Sequence, residues 1–257
     1  MVENELHEKY LEAGVHIGTR VSSKWMKRFV YKFRKDKLVM LNVEMIDKRI
    51  AEMAKILAQY DLSKVAIVAS RVYAVPAAKK FAEIFGAKSF IGRFIPGTFT
   101  NPSNSNFFEP EVIFVCDPRV EKQALVEGTY LGTLNVGLAD TDNSIKNLDF
   151  FIPCNNKGKK SVPFVFWLLS KELMKAKGMI KDDSEFKYKP EDFELTALTQ
   201  EEKQELAESE KEVQKIEEQE EMEAKKEEKA ASKESGEKKT AKKKKTKPEE
   251  PKDSEQE

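Results

Sequence analysis

Short apolar runs alternate with helical patterns between about residues 38 and 177, and this alternation limits the possible folds of the chain more than any other feature. Val65–Ala69 and Val112–Val115 are continuous apolar runs, as expected of strands that are buried on both faces. Residues 44–60 repeat apolar side chains at steps of three and four, which predicts an amphipathic helix. Because strands that alternate with helices favour parallel pairing, we predict an α/β fold: a flavodoxin-like, doubly wound, mainly parallel sheet with helices on both faces.

Local signals place the remaining elements. A helix over residues 73–85 is predicted to have Pro76 in its first turn and to end at Gly86. Asp117 and Ser161 are interpreted as the N-caps of two further helices, the first of which runs to about residue 131. The remaining predicted strands are residues 89–94, 136–139 and 150–152, and a hairpin formed by residues 29–34 and 38–41.

The segment from residue 20 to residue 37 contains eight basic residues and a single acidic one, Asp36. Within it, residues 28–34 alternate with a period of two, so an extended strand would carry cations on one face and rings on the other. We interpret Phe29, Tyr31 and Phe33 as core residues rather than base-stacking groups. A ladder of cations suits the phosphate backbone of a nucleic acid better than a small substrate. The predicted phosphate contacts are Arg20, Lys24, Lys27, Arg28, Lys32, Arg34, Lys35 and Lys37.

Two other segments have the character of anion sites. Residues 92–101, which lead into a long irregular loop over residues 96–110, combine Arg93 with glycines that would let backbone amides approach a ligand. Residues 155–161 place Lys157, Lys159 and Lys160 at the start of the last core helix, where cations oppose the helix dipole. A phosphate bound there would relieve that conflict, although lysines that point into water would also explain the pattern.

Motifs for catalysis or cofactor binding are absent from the sequence. The turn that follows Val65–Ala69 lacks glycine, and no glycine-rich phosphate-binding motif occurs. Both histidines, His7 and His16, precede the predicted sheet, and we interpret His16 as structural. The group of Asp117, Asp140 and Asp142 could form a metal or acid–base cluster, but capping and turn formation explain it better. We therefore predict no catalytic residue, no metal site and no cofactor.

Composition divides the chain into two parts. Residues 1–200 carry 30 basic and 25 acidic residues, and residues 201–257 carry 15 and 20, so charges of about +5 and −5 cancel. We predict a globular domain over residues 1–196, with an N-terminal arm and hairpin at about residues 1–43, and a charged tail over residues 197–257 that is disordered or a single helix. Cys116 and Cys154 are too few for a disulfide framework. Neither a signal peptide nor a membrane-spanning run is visible, so we expect a cytoplasmic protein.

The motifs together resemble a known family, the universal small-subunit ribosomal protein S-two, in its archaeal and eukaryotic, laminin-receptor-like branch. The resemblance covers about residues 10–178 and rests on residues 11–18, 25–30, 92–101, 117–119 and 152–158. It implies a flavodoxin-like sheet without enzymatic activity. It also implies binding to small-subunit ribosomal RNA and to neighbouring ribosomal proteins, with no small-molecule substrate and no membrane. Residues 132–135 depart from the turn that is usual in the family, and nothing carries over to the tail.

Two other functions stay open on the sequence. One is a flavodoxin-like enzyme or cofactor-binding protein, which the missing glycine-rich turn argues against. The other is an adaptor that recruits partners through its charged tail, with any RNA contact incidental.

Overall fold

Five parallel strands form the central sheet of the computed structural model, which describes residues 2–181 and 185–194. The strands are β3 (Val65–Ala69), β4 (Lys88–Ile91), β5 (Val112–Val115), β6 (Leu134–Ala139) and β7 (Phe150–Pro153). They lie in the order β4-β3-β5-β6-β7, with every neighbouring pair parallel. The predicted mainly parallel α/β sheet is therefore confirmed, and the predicted tail lies outside the described residues.

Helices cover both faces of this sheet. They are α1 (Val2–Ala13), α2 (Val43–Ala58), α3 (Val75–Phe85), α4 (Lys122–Leu131) and α5 (Ser161–Ala176). On one face, Val65 and Ile67 of β3 belong to a large apolar core that also includes residues of α2, α3 and α5. On the other face, Ala66 and Val68 pack in a smaller core with residues of α4 and of the loop after β4. Since successive strand residues point to opposite faces, the apolar runs supply both cores.

The helix boundaries follow partly from local signals. Asn42 caps α2 by accepting a hydrogen bond from the Glu44 amide at 3.0 Å. Pro76 lies in the first turn of α3, and Gly86 ends that helix with a left-handed φ of 71°, both as predicted. No helix within the described part of the chain is both long and apolar enough to cross a membrane.

Two predicted N-caps are wrong. Asp117 does not cap α4, because that helix begins at Lys122 with Glu121 before it, and Asp117 instead accepts from the Arg119 amide in a turn. Ser161 is the first residue of α5 rather than its cap, and its hydroxyl donates to the Asn155 carbonyl oxygen at 2.6 Å. In both cases the side chain bonds to a partner outside the helix that the local pattern assigned it to cap.

The predicted hairpin is present and consists of β1 (Val30–Phe33) and the antiparallel β2 (Val39–Leu41). Val30 pairs with Leu41 and Lys32 with Met40, so Tyr31 is an extra residue in β1 and the ladder has a bulge there. Phe29 precedes the strand, in a 3-10 helix over Met26–Phe29, and is buried.

The predicted burial of the three rings is wrong for two of them. Tyr31 and Phe33 are 69% and 63% exposed, whereas Phe29 is buried as expected. A strict period of two cannot hold from Phe29 to Phe33, because the strand begins at Val30 and its register then shifts.

Candidate nucleic-acid interface

The buried side chain of Glu121 fills the carboxyl edge of the sheet between β3 and β5. The chain leaves β3 toward β4 and β5 toward β6, and in open α/β sheets ligands bind in the crevice at such a point of reversal. Here the oxygens of the Glu121 carboxyl group accept hydrogen bonds from the amides of Ser70 at 2.8 Å, Cys116 at 2.7 Å and Asp117 at 3.1 Å. The amides that could bind a phosphate are thus already satisfied by the protein itself.

Asp117 closes the same crevice from its outer side. Its carboxylate pairs with the Arg71 Nε at 2.5 Å and accepts from the Asn143 side-chain amide at 2.7 Å. Asn156 in turn donates to the Asn143 side-chain oxygen at 3.2 Å and to the Cys116 carbonyl oxygen at 3.3 Å. The ends of β3, β5, β6 and β7 are therefore joined by one hydrogen-bonded network.

The aspartates considered as a metal or acid–base cluster have other partners. Asp140 accepts from the Thr141 amide at 2.6 Å, and Asp142 accepts from the Lys157 ammonium at 2.7 Å. Within residues 2–181 and 185–194, no group of three or more His, Cys, Asp and Glu side chains could hold a metal ion. The geometry agrees with turn formation and ion pairing at this edge.

Burial dominates the protonation of the groups at this edge. It raises the pKa of Glu121 to about 8, although the three amide donors act in the opposite direction. Burial likewise raises the pKa of Asp140 to about 6 and the pKa of Cys116 and Cys154 well above the ordinary thiol value. Both thiols are buried, and a buried protonated thiol is a poor nucleophile.

The N-terminal arm, residues 14–24, is bound to this filled edge. The Thr141 hydroxyl oxygen accepts from the Thr19 amide at 2.9 Å, and the Thr141 carbonyl oxygen accepts from the Ser23 amide at 2.8 Å. The Asn155 amide donates to the Val15 carbonyl oxygen at 3.0 Å. Gly18 is required at its position because a Cβ there would overlap the Thr141 side chain. The arm is thus held by the loops that follow β6 and β7.

The arm also pairs with the hairpin, because its backbone forms hydrogen bonds with the backbone of β2. The Gly18 amide donates to the Val39 carbonyl oxygen at 2.8 Å, and the Val39 amide donates to the Thr19 carbonyl oxygen at 3.0 Å. The Leu41 amide donates to the His16 carbonyl oxygen at 2.8 Å. The His16 side chain is partly buried, and that burial lowers its pKa. Arm and hairpin therefore form one anchored element.

The structure exposes every predicted cation of this element. Among the described residues, the ion pair that these eight cations form is the one between Arg34 and Asp36, at 3.2 Å. Arg28 lies over the Phe29 ring at 4.8 Å and Lys32 lies 5.8 Å from the Tyr31 ring centroid. The exposed set is Arg20, Lys24, Lys27, Arg28, Lys32, Arg34, Lys35 and Lys37.

The two other predicted anion sites have a different geometry from the arm. Arg93 is exposed, but the amides of the following loop do not face a ligand site: the Glu127 carboxylate accepts from the Gly97 amide at 2.7 Å and the Phe99 amide at 3.1 Å. Lys159 and Lys160 are exposed at the start of α5, whereas Lys157 pairs with Asp142.

The sequence reasoning did not single out Glu121, Glu127 or Thr141. The burial of the first two could have been predicted, since each is an acidic residue beside the apolar positions of a short helix. An acidic side chain that is buried needs several hydrogen-bond donors around it. Thr141 carried none, because its partner Thr19 is 122 positions away.

Comparisons with known proteins agree on one family. A family model described as Ribosomal protein S2 matches residues 103–176. The small ribosomal subunit protein uS2 of Staphylothermus marinus is 46% identical over 188 residues, which cover 73% of this chain and 86% of that protein. The uS2 proteins of Thermofilum pendens and Methanococcus maripaludis are 43% and 44% identical, over 75% and 70% of this chain and 90% and 82% of those proteins. These relatives are archaeal, and the resemblance read from the motifs is confirmed.

Replacing Thr141 with valine should loosen the arm. Valine keeps the shape of the side chain but removes the acceptor of the partly buried Thr19 amide, which costs about 1–3 kcal/mol. Because local opening admits proteases, tryptic cleavage after Arg20 and Lys24 should accelerate about tenfold. Thr129→Val removes the hydroxyl of an exposed residue of α4, which accepts from the Asn135 side chain away from the arm, and is the control. Equal cleavage rates in both variants would refute the anchoring role.

The titration of Glu121 should make the protein less stable as pH rises from 7 to 8.5. The folded protein keeps a proton up to a pKa of about 8, whereas the unfolded chain loses it near 4.5. The associated stability is complete below the unfolded value and is lost as pH passes through the folded value. We expect the free energy of unfolding in urea to fall about 1 kcal/mol further in the parent protein than in Glu121→Gln. The exposed Glu52→Gln should retain the parent's pH dependence.

Proposed function

The chain belongs to the small ribosomal subunit protein uS2 family, and from this premise we propose that its anchored arm and hairpin bind ribosomal RNA while its body performs no chemistry. The chain has a structural role in the small ribosomal subunit and is not an enzyme. Its place is the ribosome, which implies a cytoplasmic location.

One observation carries the proposal for RNA: eight exposed cations and one exposed anion lie in a single element whose backbone is fixed. Binding to a nucleic-acid backbone is driven by protein cations that replace the counterions condensed on the phosphates. A dense group of cations with few neighbouring carboxylates therefore binds strongly. Because the arm is already ordered on the sheet edge, little conformational entropy is lost when RNA binds. Contacts of this kind position the protein on RNA rather than read its sequence.

Other parts of the molecule have supporting roles under this proposal. Arg93, Lys159 and Lys160 are exposed and can add phosphate contacts, and Lys157 can do so only by sharing Asp142 or leaving it. Neighbouring ribosomal proteins would pack against the body, which we assign to residues 1–196, with residues 197–257 as a separate tail.

The enzyme alternative meets a physical obstacle. A cofactor at the β3–β5 crevice would have to displace the Glu121 carboxyl group from three amides and break the Arg71–Asp117 pair. Leaving buried donors unsatisfied costs about 1–3 kcal/mol for each group, so the crevice favours its present occupant.

Neutralising three hairpin cations should flatten the salt dependence of RNA binding. In Arg28→Gln/Lys32→Gln/Arg34→Gln, the slope of log affinity against log salt should fall by about 0.7–0.9 for each lost contact, or about two to three contacts in total. The measurement is a titration of purified small-subunit ribosomal RNA at several salt concentrations. Lys55→Gln/Lys122→Gln/Lys146→Gln removes three exposed cations elsewhere and is the matched control. A slope that stays the same in the hairpin variant would remove these residues from the interface.

Removing residues 199–257 should leave association with small subunits intact, since the proposed contacts lie in the arm and hairpin. Co-sedimentation of the shortened chain with subunits at low salt, and its release at high salt, test this. Loss of co-sedimentation would favour the adaptor function, in which the tail recruits the partner.

A further inference from the structure

Exposed rings are concentrated in the basic element. Within residues 2–181 and 185–194, four aromatic side chains are strongly exposed, and three of them, Trp25, Tyr31 and Phe33, lie within a segment of nine residues. Their exposed fractions are 66%, 69% and 63%. A large apolar side chain left in water forgoes a favourable burial free energy, so a cluster of such residues indicates a surface that a partner covers.

We propose that Trp25, Tyr31 and Phe33 stack on unpaired bases of RNA while the neighbouring cations hold the adjoining phosphates. This inference rests on the proposed function and names the form of RNA that the arm and hairpin bind. That form is a looped or single-stranded segment whose bases are not paired in an RNA helix. Sequence-tolerant binding of such segments combines a cationic track with rings that receive successive bases.

The backbone beneath the rings is fixed, as a stacking surface requires. Trp25 directly precedes the 3-10 helix, in which Met26 and Phe29 are buried. The Met26 amide donates to the Ser23 carbonyl oxygen at 3.2 Å, and the Ser23 amide is held by Thr141 at 2.8 Å. Rings on a fixed backbone lose little freedom on binding.

A bulge in β1 directs Tyr31. The ladder passes from Val30 to Lys32 on β1 while β2 advances by one residue, so Tyr31 has no partner across the hairpin. Bulges of this kind re-aim a side chain, and here the ring is turned out of the ladder and into solvent.

A groove beside the Tyr31 ring provides room for a base. It has a volume of about 310 Å³ and is lined by apolar side chains, including Tyr31, Leu11 and Met40, together with Lys32 and Glu44. The volume is at the lower end of small-ligand sites, and the opposite charges of Lys32 and Glu44 leave the lining without a net charge. A planar, uncharged base fits both properties, while the phosphates beside it would lie against the cations outside the groove.

Charge distinguishes RNA from a protein partner at this surface. The rings are interleaved with seven cations that have no described carboxylate partner, in addition to Arg34 with Asp36. A protein segment would need a similar number of carboxylates arranged around apolar side chains, whereas every nucleotide supplies one base and one phosphate.

The test replaces rings with leucine, which keeps an apolar side chain but cannot stack. We compare Trp25→Leu and Tyr31→Leu/Phe33→Leu with Trp25→Phe and Tyr31→Phe, using an unstructured oligoribonucleotide and an RNA duplex of equal length as probes. For the single strand, each lost ring should weaken binding about five- to tenfold without changing the salt slope, and the phenylalanine variants should bind like the parent. Duplex affinity should not change.

Fluorescence provides a second readout that does not depend on affinity. Trp25 is exposed, whereas Trp167 is partly buried and donates to the Tyr188 carbonyl oxygen at 2.9 Å, so a stacked base should quench Trp25 selectively. Trp25→Phe should abolish that quenching.

Several outcomes would overturn the inference. Leucine variants that bind single strands like the parent, equal losses on single strand and duplex, or no selective quenching would each do so. If the leucine variants bind protein-free RNA like the parent but fail to enter whole subunits, the rings contact a protein partner instead. Failure of the proposed function has a different signature, namely an unchanged salt slope in the Arg28, Lys32 and Arg34 variant.

Discussion

The arrangement of this molecule depends on the hydrogen bonds that the Glu121 carboxyl group accepts from the amides of Ser70, Cys116 and Asp117. The oxygens of this group accept from backbone amides that, in other doubly wound folds, donate to a bound phosphate at the same place. A buried amide must have a partner, so the closed edge is the stable form of the sheet. The fold therefore retains the architecture of a ligand-binding protein while its usual ligand position is part of the core.

A closed edge is available for another use, and here it supports the arm. Thr141 and Asn155 follow the last two strands and hold the backbone of residues 14–23, which in turn extends the hairpin. Rigid strands thereby position a loop-like segment that would have little order alone. Exposed cations and exposed rings occur together in this segment and in the hairpin that it extends.

Much of the fold could be predicted because its signals are local. The apolar runs of β3 and β5, Pro76 and Gly86 each specify structure within a few residues. The exposure of the basic side chains could also be predicted, because eight cations in one short segment cannot all be buried. Several errors concern partners that the local pattern does not specify: Ser161 bonds to Asn155, six residues earlier, the Gly97 amide bonds to Glu127, 30 residues later, and the bulge at Tyr31 depends on pairing with β2. A period-two pattern contains no information about such a register shift.

The contacts of the arm also impose an order on events during synthesis. Thr19 emerges from the translating ribosome 122 residues before Thr141, and Gly14 emerges 141 residues before Asn155. A nascent chain of a hundred residues therefore carries all eight cations and can form the hairpin, but it lacks Thr141 and Asn155, which attach the arm to the sheet edge. Closing so long a loop is slow and occurs late in folding. The arm is thus anchored to the sheet only when the last two strands are complete.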